Sequence, residues 1–122
     1  MQNTAARPTV VTVLAILALI GGLFGVLASF GYIALGGSLL IYGILWLVLS
    51  VVELAFAYGA WTMQPWAWSA GIGVEAGFIL LSIIALFLGW NSIAGVLISI
   101  IIGALIIYWL FTPGVKAAFG KA

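Results

Sequence analysis

The chain has 122 residues, of which 67% are hydrophobic and 4% are charged, and its formal net charge is +1. An average soluble domain carries roughly 25% charged residues, so this sequence cannot build a water-exposed surface. Cysteine and histidine are absent, which excludes disulfides, thiol nucleophiles and the commonest metal ligand. We therefore expect no metal site and no cofactor. Three basic side chains are too few for a phosphate-binding surface, so no nucleic-acid partner is expected either.

Four long apolar runs predict the architecture. A helix needs about 20 apolar residues to cross the hydrocarbon core, and the runs at about 9–30, 38–60, 66–88 and 92–111 meet this requirement. They are continuous rather than alternating, which favours helices over the strands of a β-barrel. The first run is longer than the apolar part of a signal peptide and no small-x-small cleavage site follows it. We therefore predict one all-α transmembrane domain over residues 1–122.

The connections and the basic residues predict the topology. The runs are joined by short segments at 31–37, 62–65 and 89–91, and short connections make neighbouring helices antiparallel. The expected fold is an up-down-up-down four-helix bundle with both termini on one side. Every basic residue lies in a tail: Arg7, Lys116 and Lys121. The positive-inside rule makes that side cytoplasmic, and we expect the bilayer to be a prokaryotic inner (plasma) membrane.

Aromatic and small residues predict how the helices are anchored and packed. Lipid tails give no hydrophobic drive for helix pairing, so small side chains must allow close approach, either within the chain or towards another subunit. The candidate packing residues are Gly21, Gly25, Gly73, Gly77, Gly95, Ser99 and Gly103. The candidate interface anchors are Trp61, Trp66, Trp68, Trp90, Tyr108 and Trp109.

The two acidic residues, Glu53 and Glu75, both lie inside apolar runs. A charge at membrane depth costs several kcal/mol, so intramembrane acids are functional candidates. The two residues are equally distant in sequence from Gln64, in the connection between the second and third runs. Antiparallel helices joined there would carry both carboxyl groups at similar depth, each with a serine, Ser50 or Ser82, on the same helical face.

Three interpretations of this pair remain open. The carboxyl groups could hold a proton or a cation, because two facing carboxylates resist ionising together. They could instead stay protonated and brace the bundle through hydrogen bonds to backbone carbonyls, to Ser50 and Ser82 or to each other. A basic residue of a partner protein could also pair with them, since this chain has no lysine or arginine within its apolar runs.

Three stretches of the chain resemble a group of small, uncharacterised prokaryotic four-span membrane proteins: residues 7–15, residues 58–61 with 65–68 at the central turn, and residues 112–120. The resemblance implies a four-helix membrane domain with both termini inside, and it implies no activity. Small four-span multidrug transporters are similar in size, but their essential glutamate lies in the first span, where this chain has no acid.

No catalytic constellation is found, so we predict a protein that is not an enzyme. The leading hypothesis is an accessory or structural subunit of a larger membrane assembly, formed by self-association or with another membrane protein. The alternative is a small homo-oligomeric proton- or cation-coupled transporter or channel that uses Glu53 and Glu75.

Overall fold

Four long helices and one short helix form the computed structural model of the chain, which describes residues 7–121. The helices are α1 (Thr9–Leu35), α2 (Ser38–Trp61), α3 (Pro65–Phe87), α4 (Ile93–Leu110) and α5 (Pro113–Ala118). The first four are long and apolar enough to cross a membrane. The chain is therefore an all-helical integral membrane protein over the part that the structure describes.

The turn between α1 and α2 is shorter than the sequence predicts. Residues 31–35, assigned above to a connection, continue α1 to Leu35, and the chain turns only at Gly36 and Gly37. These two glycines have φ angles of 71° and 60°, in the left-handed region that favours glycine. Gly31 weakens a helix by about 1 kcal/mol relative to alanine but does not end it. The first span is corrected to 27 residues.

The other boundaries fall within about two residues of the predicted ones and have local causes. Pro65 occupies the first turn of α3, where its missing amide hydrogen costs nothing. At the start of α4 the Ser92 hydroxyl oxygen accepts a hydrogen bond of 3.1 Å from the Gly95 amide, which satisfies one of the free helix-terminal donors. After α4 ends at Leu110, Pro113 is the first residue of α5, where its missing amide hydrogen is again tolerated.

The helices pack in chain order. The most extensive contact joins α1 to α2, and α3 packs against both α2 and α4. The α1 and α4 helices contact each other weakly at most. One side of the helical array is therefore less closed than the others.

Glycines explain why α1 and α2 approach so closely. A Cβ atom at Gly43 of α2 would lie 2.9 Å from the backbone oxygen of Ser29 and 2.9 Å from the backbone nitrogen of Ile33 in α1. A Cβ atom at Gly22 would meet Leu54 at 2.7 Å. The two backbones are thus in direct contact, as expected where small residues replace hydrophobic drive.

The buried core is divided into two clusters. One cluster gathers where α5 covers the helices and includes Val11, Phe56, Leu110 and Phe119. The other is aromatic and is built on Tyr42, Leu81 and Ala85, with Trp46 and Trp90 against it. In both α2 and α3, the glutamate lies in sequence between the residues of the two clusters.

The basic side chains lie against the aromatic anchors. The Arg7 guanidinium is 3.7 Å from the centroid of the Trp61 ring and donates a 2.8 Å hydrogen bond to the Trp61 carbonyl. Lys116 and Lys121 both place their ammonium groups 5.9 Å from the Trp68 ring. The Trp68 indole in turn donates a 2.7 Å hydrogen bond to the carbonyl of Leu110. These contacts hold the tails beside the α2–α3 turn.

Candidate functional site

The two glutamates lie at similar depth along α2 and α3. Glu53 precedes the last residue of α2, Trp61, by eight positions, and Glu75 follows the first residue of α3, Pro65, by ten. At 1.5 Å per residue these offsets are about 12 and 15 Å from the helix ends that the α2–α3 turn joins. Both carboxyl groups therefore lie well inside the apolar length of the helices.

Both acidic side chains line one cavity of about 320 Å³. The Glu75 side chain is 5% exposed, and Glu53 is half-buried. All four long helices contribute to the walls, which are formed by Gly21, Phe24, Gly25, Ala28, Trp46, Glu53, Glu75, Phe78, Ile98, Ser99 and Ile102. The structure thus brings the two acids together, and the rest of the wall is predominantly apolar.

The Gly21 and Gly25 pair makes room for the polar groups of α2. A Cβ atom at Gly21 would lie 2.8 Å from the Oε2 atom of Glu53. At Gly25 it would contact the Ser50 hydroxyl and lie 3.3 Å from the Trp46 Nε1 atom. These two glycines therefore give the side chains of Glu53, Ser50 and Trp46 space against α1, in addition to letting the helices approach.

Three buried polar atoms have no hydrogen-bond partner among residues 7–121: the Trp46 indole nitrogen and the hydroxyl oxygens of Ser50 and Ser82. An unpaired buried polar group costs about 1–3 kcal/mol. Neither hydroxyl bonds a glutamate in this structure, and bracing through backbone carbonyls or between the two acids stays a prediction. The Trp46 side chain lines the cavity, but its buried N–H group lies against Gly25 of α1 and is not exposed to the cavity.

Aromatic rings form the wall on the side of Trp46. The Trp46 ring meets Phe78 edge-on, with 5.3 Å between centroids, and meets Tyr42 at 5.5 Å. Tyr42 is 5.3 Å from Trp90, in the connection before α4. Of these four rings, those of Trp46 and Phe78 line the cavity, and Tyr42 and Trp90 do not. Because aromatic faces attract cations within about 6 Å, the Trp46 and Phe78 rings reinforce the preference of the carboxyl groups for positive charge.

The cavity opens between α1 and α4. The residues at this edge are exposed although they line the cavity: Phe24 by 68%, Ile98 by 58% and Ile102 by 52%. Because α1 and α4 scarcely pack against each other, a gap remains between their apolar side chains. In a membrane this gap would face lipid.

The predicted packing residues fall in different environments. Among them, Gly77 faces Leu49, Gly103 faces Ile79, and Gly95 faces the nearby Asn91 side chain. Ser99 lines the cavity. Gly73 is exposed, and a Cβ atom there would have no described neighbour within 4 Å.

Sequence reasoning missed the contributions of α1 and α4 to the acid site. The predicted pair involved α2 and α3 alone, whereas Phe24, Ala28, Ile98 and Ile102 complete the wall. The only sequence signal was the Gly21 and Gly25 spacing, which was interpreted as helix packing. The apolar wall residues are indistinguishable from lipid-facing ones by residue type.

The residues described here contain no group of three or more histidine, cysteine, aspartate or glutamate side chains that could hold a metal ion. Two carboxyl groups in a largely apolar, aromatic cavity are suited to holding a proton or a cation of low charge density. Scans against protein-family models, curated proteins and solved structures each returned no match. The resemblance to small prokaryotic four-span proteins stays a prediction.

Proposed function

We propose that this small membrane protein binds positive charge, as a proton or a cation, in the Glu53 and Glu75 cavity and works as a proton- or cation-coupled transporter. The observation that carries the proposal is the convergence of both acids on one cavity lined by all four long helices. The described basic residues lie instead against Trp61 and Trp68. The carboxyl groups therefore have no cationic partner among residues 7–121.

A topology and an assembly belong to the same proposal. The helices run up-down-up-down with cytoplasmic tails, which is supported by the positive-inside rule and by the contact of Arg7 with the α2–α3 turn. Four spans are few for a complete pathway, so the transporter is a homo-oligomer in a prokaryotic inner membrane. It performs no covalent chemistry.

The test is ion flux in proteoliposomes. Wild-type protein should dissipate an imposed proton or alkali-cation gradient, and Glu53→Gln or Glu75→Gln should each slow the flux by at least about tenfold, since each removes a group essential to binding. Ile101→Val is the control, because this side chain of α4 is 65% exposed and lies outside the cavity lining. Equal flux in the wild type and in the double glutamine variant would eliminate the proposal.

A second candidate function is that of an accessory subunit of a larger membrane assembly. The exposed face of α3 carries Ser69, Gly73 and Ala76 at helical spacing, and Gly73 has open space above it. Such small residues allow another helix to approach. This candidate predicts a stable complex in mild detergent, whereas a monomer that copurifies with nothing would count against it.

A further inference from the structure

We propose that the ligand of the Glu53 and Glu75 cavity is an amphipathic organic cation, which reaches it from the bilayer through the opening between α1 and α4. This inference rests on the proposed function and specifies its substrate class. It combines three independent features of the cavity: its size, the chemistry of its walls and its lateral opening.

The size of the cavity favours an organic molecule over a bare ion. Its volume is about 320 Å³, within the range of about 300–1,000 Å³ in which small-molecule sites fall. A water molecule occupies only about 30 Å³, so a single inorganic ion would leave most of the space to be filled by water. The apolar walls offer few hydrogen bonds to such water.

The chemistry of the cavity walls favours a ligand that has a cationic group attached to an apolar group. Glu53 and Glu75 supply the only acidic groups, and the rings of Trp46, Phe78 and Phe24 supply aromatic surface. Carboxylates and aromatic faces together recognise ammonium groups, as in aromatic cages. Divalent metal ions are disfavoured because they require more oxygen ligands than two side chains provide.

The opening explains how such a ligand reaches the acids. Phe24 of α1 and Ile102 of α4 are more than half exposed at the edge of the cavity, and their helices contact each other weakly at most. A molecule dissolved in the bilayer could pass between these side chains. A strongly hydrated inorganic ion would have to lose its water shell on the same route.

A matched ligand pair provides the test. Benzyltrimethylammonium and neopentylbenzene have nearly the same shape and differ in charge. Because the neutral molecule partitions more strongly into detergent, binding of each is corrected by dialysis against protein-free micelles. Binding of each to the full-length protein in mild detergent is measured by equilibrium dialysis. The cation should bind at least about tenfold more tightly than the neutral molecule, a difference of about 1.4 kcal/mol. The double variant Glu53→Gln/Glu75→Gln should lose this preference.

A second variant keeps the test decisive if the glutamine protein folds poorly. Ala28→Phe retains both carboxyl groups and places a bulky ring at an exposed position of the cavity wall, so it should slow and weaken binding of the cation. Helical circular dichroism confirms that each variant is folded. Ile101→Val, outside the cavity lining, should bind the cation like the wild type.

The outcomes separate this inference from the proposed function. Equal binding of both ligands, unaffected by the glutamine substitutions, would show a merely apolar cavity and overturn the inference. The inference would also be overturned if the protein bound no organic cation. The proposed function would still stand in that case, provided that proton or alkali-cation flux depended on the glutamates. If the protein showed neither organic-cation binding nor glutamate-dependent ion flux, both proposals would be removed.

Discussion

Helix α1 has two very different neighbours. Against α2 it lies in backbone contact, with Gly22 and Gly43 allowing the approach, whereas against α4 it leaves the opening edged by Phe24 and Ile102. Both regions consist of apolar residues inside one membrane-spanning array. The difference shows that composition does not decide whether two spans close. Gly22 and Gly43 allow α1 and α2 to come into contact. Between α1 and α4, the bulky side chains of Phe24 and Ile102 leave a cavity beside the two glutamates.

The largest effect is expected at the tightest point of the α1–α2 contact. Gly43→Ala would place a Cβ atom 2.9 Å from two backbone atoms of α1, and backbone cannot yield as a side chain can. We expect a loss of about 3 kcal/mol in the free energy of unfolding, because overpacking forces the helices apart. The measurement is an SDS titration of the protein in mild detergent.

Gly31→Ala is the control for that substitution. Gly31 also lies in α1, but a Cβ atom there meets nothing within 4 Å. It should leave the protein as stable as the wild type or slightly more stable, since alanine favours helix. Equal effects of the two substitutions would show that helix propensity, and not backbone contact, governs this interface.

A smaller loss is expected where a side chain faces the glycine. A Cβ atom at Gly22 would lie 2.7 Å from Leu54 Cδ2, and this flexible group can move aside. Gly22→Ala should therefore cost about 1–2 kcal/mol in the same titration. Combined with Leu54→Ala, it should show a favourable coupling of about 1 kcal/mol, because the second substitution removes the side-chain clash and leaves only the contact with the Leu54 backbone nitrogen at 3.3 Å. Strict additivity of the two single effects would contradict the contact.

The sequence predicted the helices better than the site because the two depend on different information. Span length and hydropathy depend on local composition, so four helices could be predicted within a few residues. Residues 31–35 were misassigned because a glycine such as Gly31 weakens a helix without ending it. The approximate depth of Glu53 and Glu75 follows from counting residues. Which apolar side chains of α1 and α4 would face those acids depends on tertiary packing, to which a uniformly apolar helix gives no clue.

Thiol labelling compares the two sides of α1 without disturbing the fold. The chain has no cysteine, so each engineered thiol is unique. Ser29 is fully buried beside α2, whereas Ser99 is half-buried and lines the cavity. Each lies six positions from a helix end, Leu35 or Ile93, or about 9 Å along its helix.

Because the two positions lie equally far from their helix ends, a difference in labelling rate should report a difference in access. A membrane-permeant maleimide should modify Ser99→Cys at least about tenfold faster than Ser29→Cys, since only the former faces an open cavity and packing in the α1–α2 contact excludes the reagent. Mass spectrometry over a time course measures both rates. Similar rates would mean that the α1–α4 side closes as tightly as the α1–α2 side.

The smallest effect on the isolated chain is expected at Gly73, on the exposed face of α3. It belongs to the same Gly-x-x-x-Gly pattern as Gly21 and Gly25, yet a Cβ atom there meets nothing within 4 Å. Gly73→Ala should therefore change the free energy of unfolding of the monomer by less than about 1 kcal/mol, towards greater stability, because only helix propensity changes.

If α3 contacts another helix, Gly73→Leu should weaken that association while the monomer unfolds as before. Analytical ultracentrifugation in mild detergent distinguishes the two results. A clear destabilisation of the monomer by Gly73→Ala would show that this glycine packs within the chain, and the exposed face of α3 would then have to be closed like the α1–α2 contact.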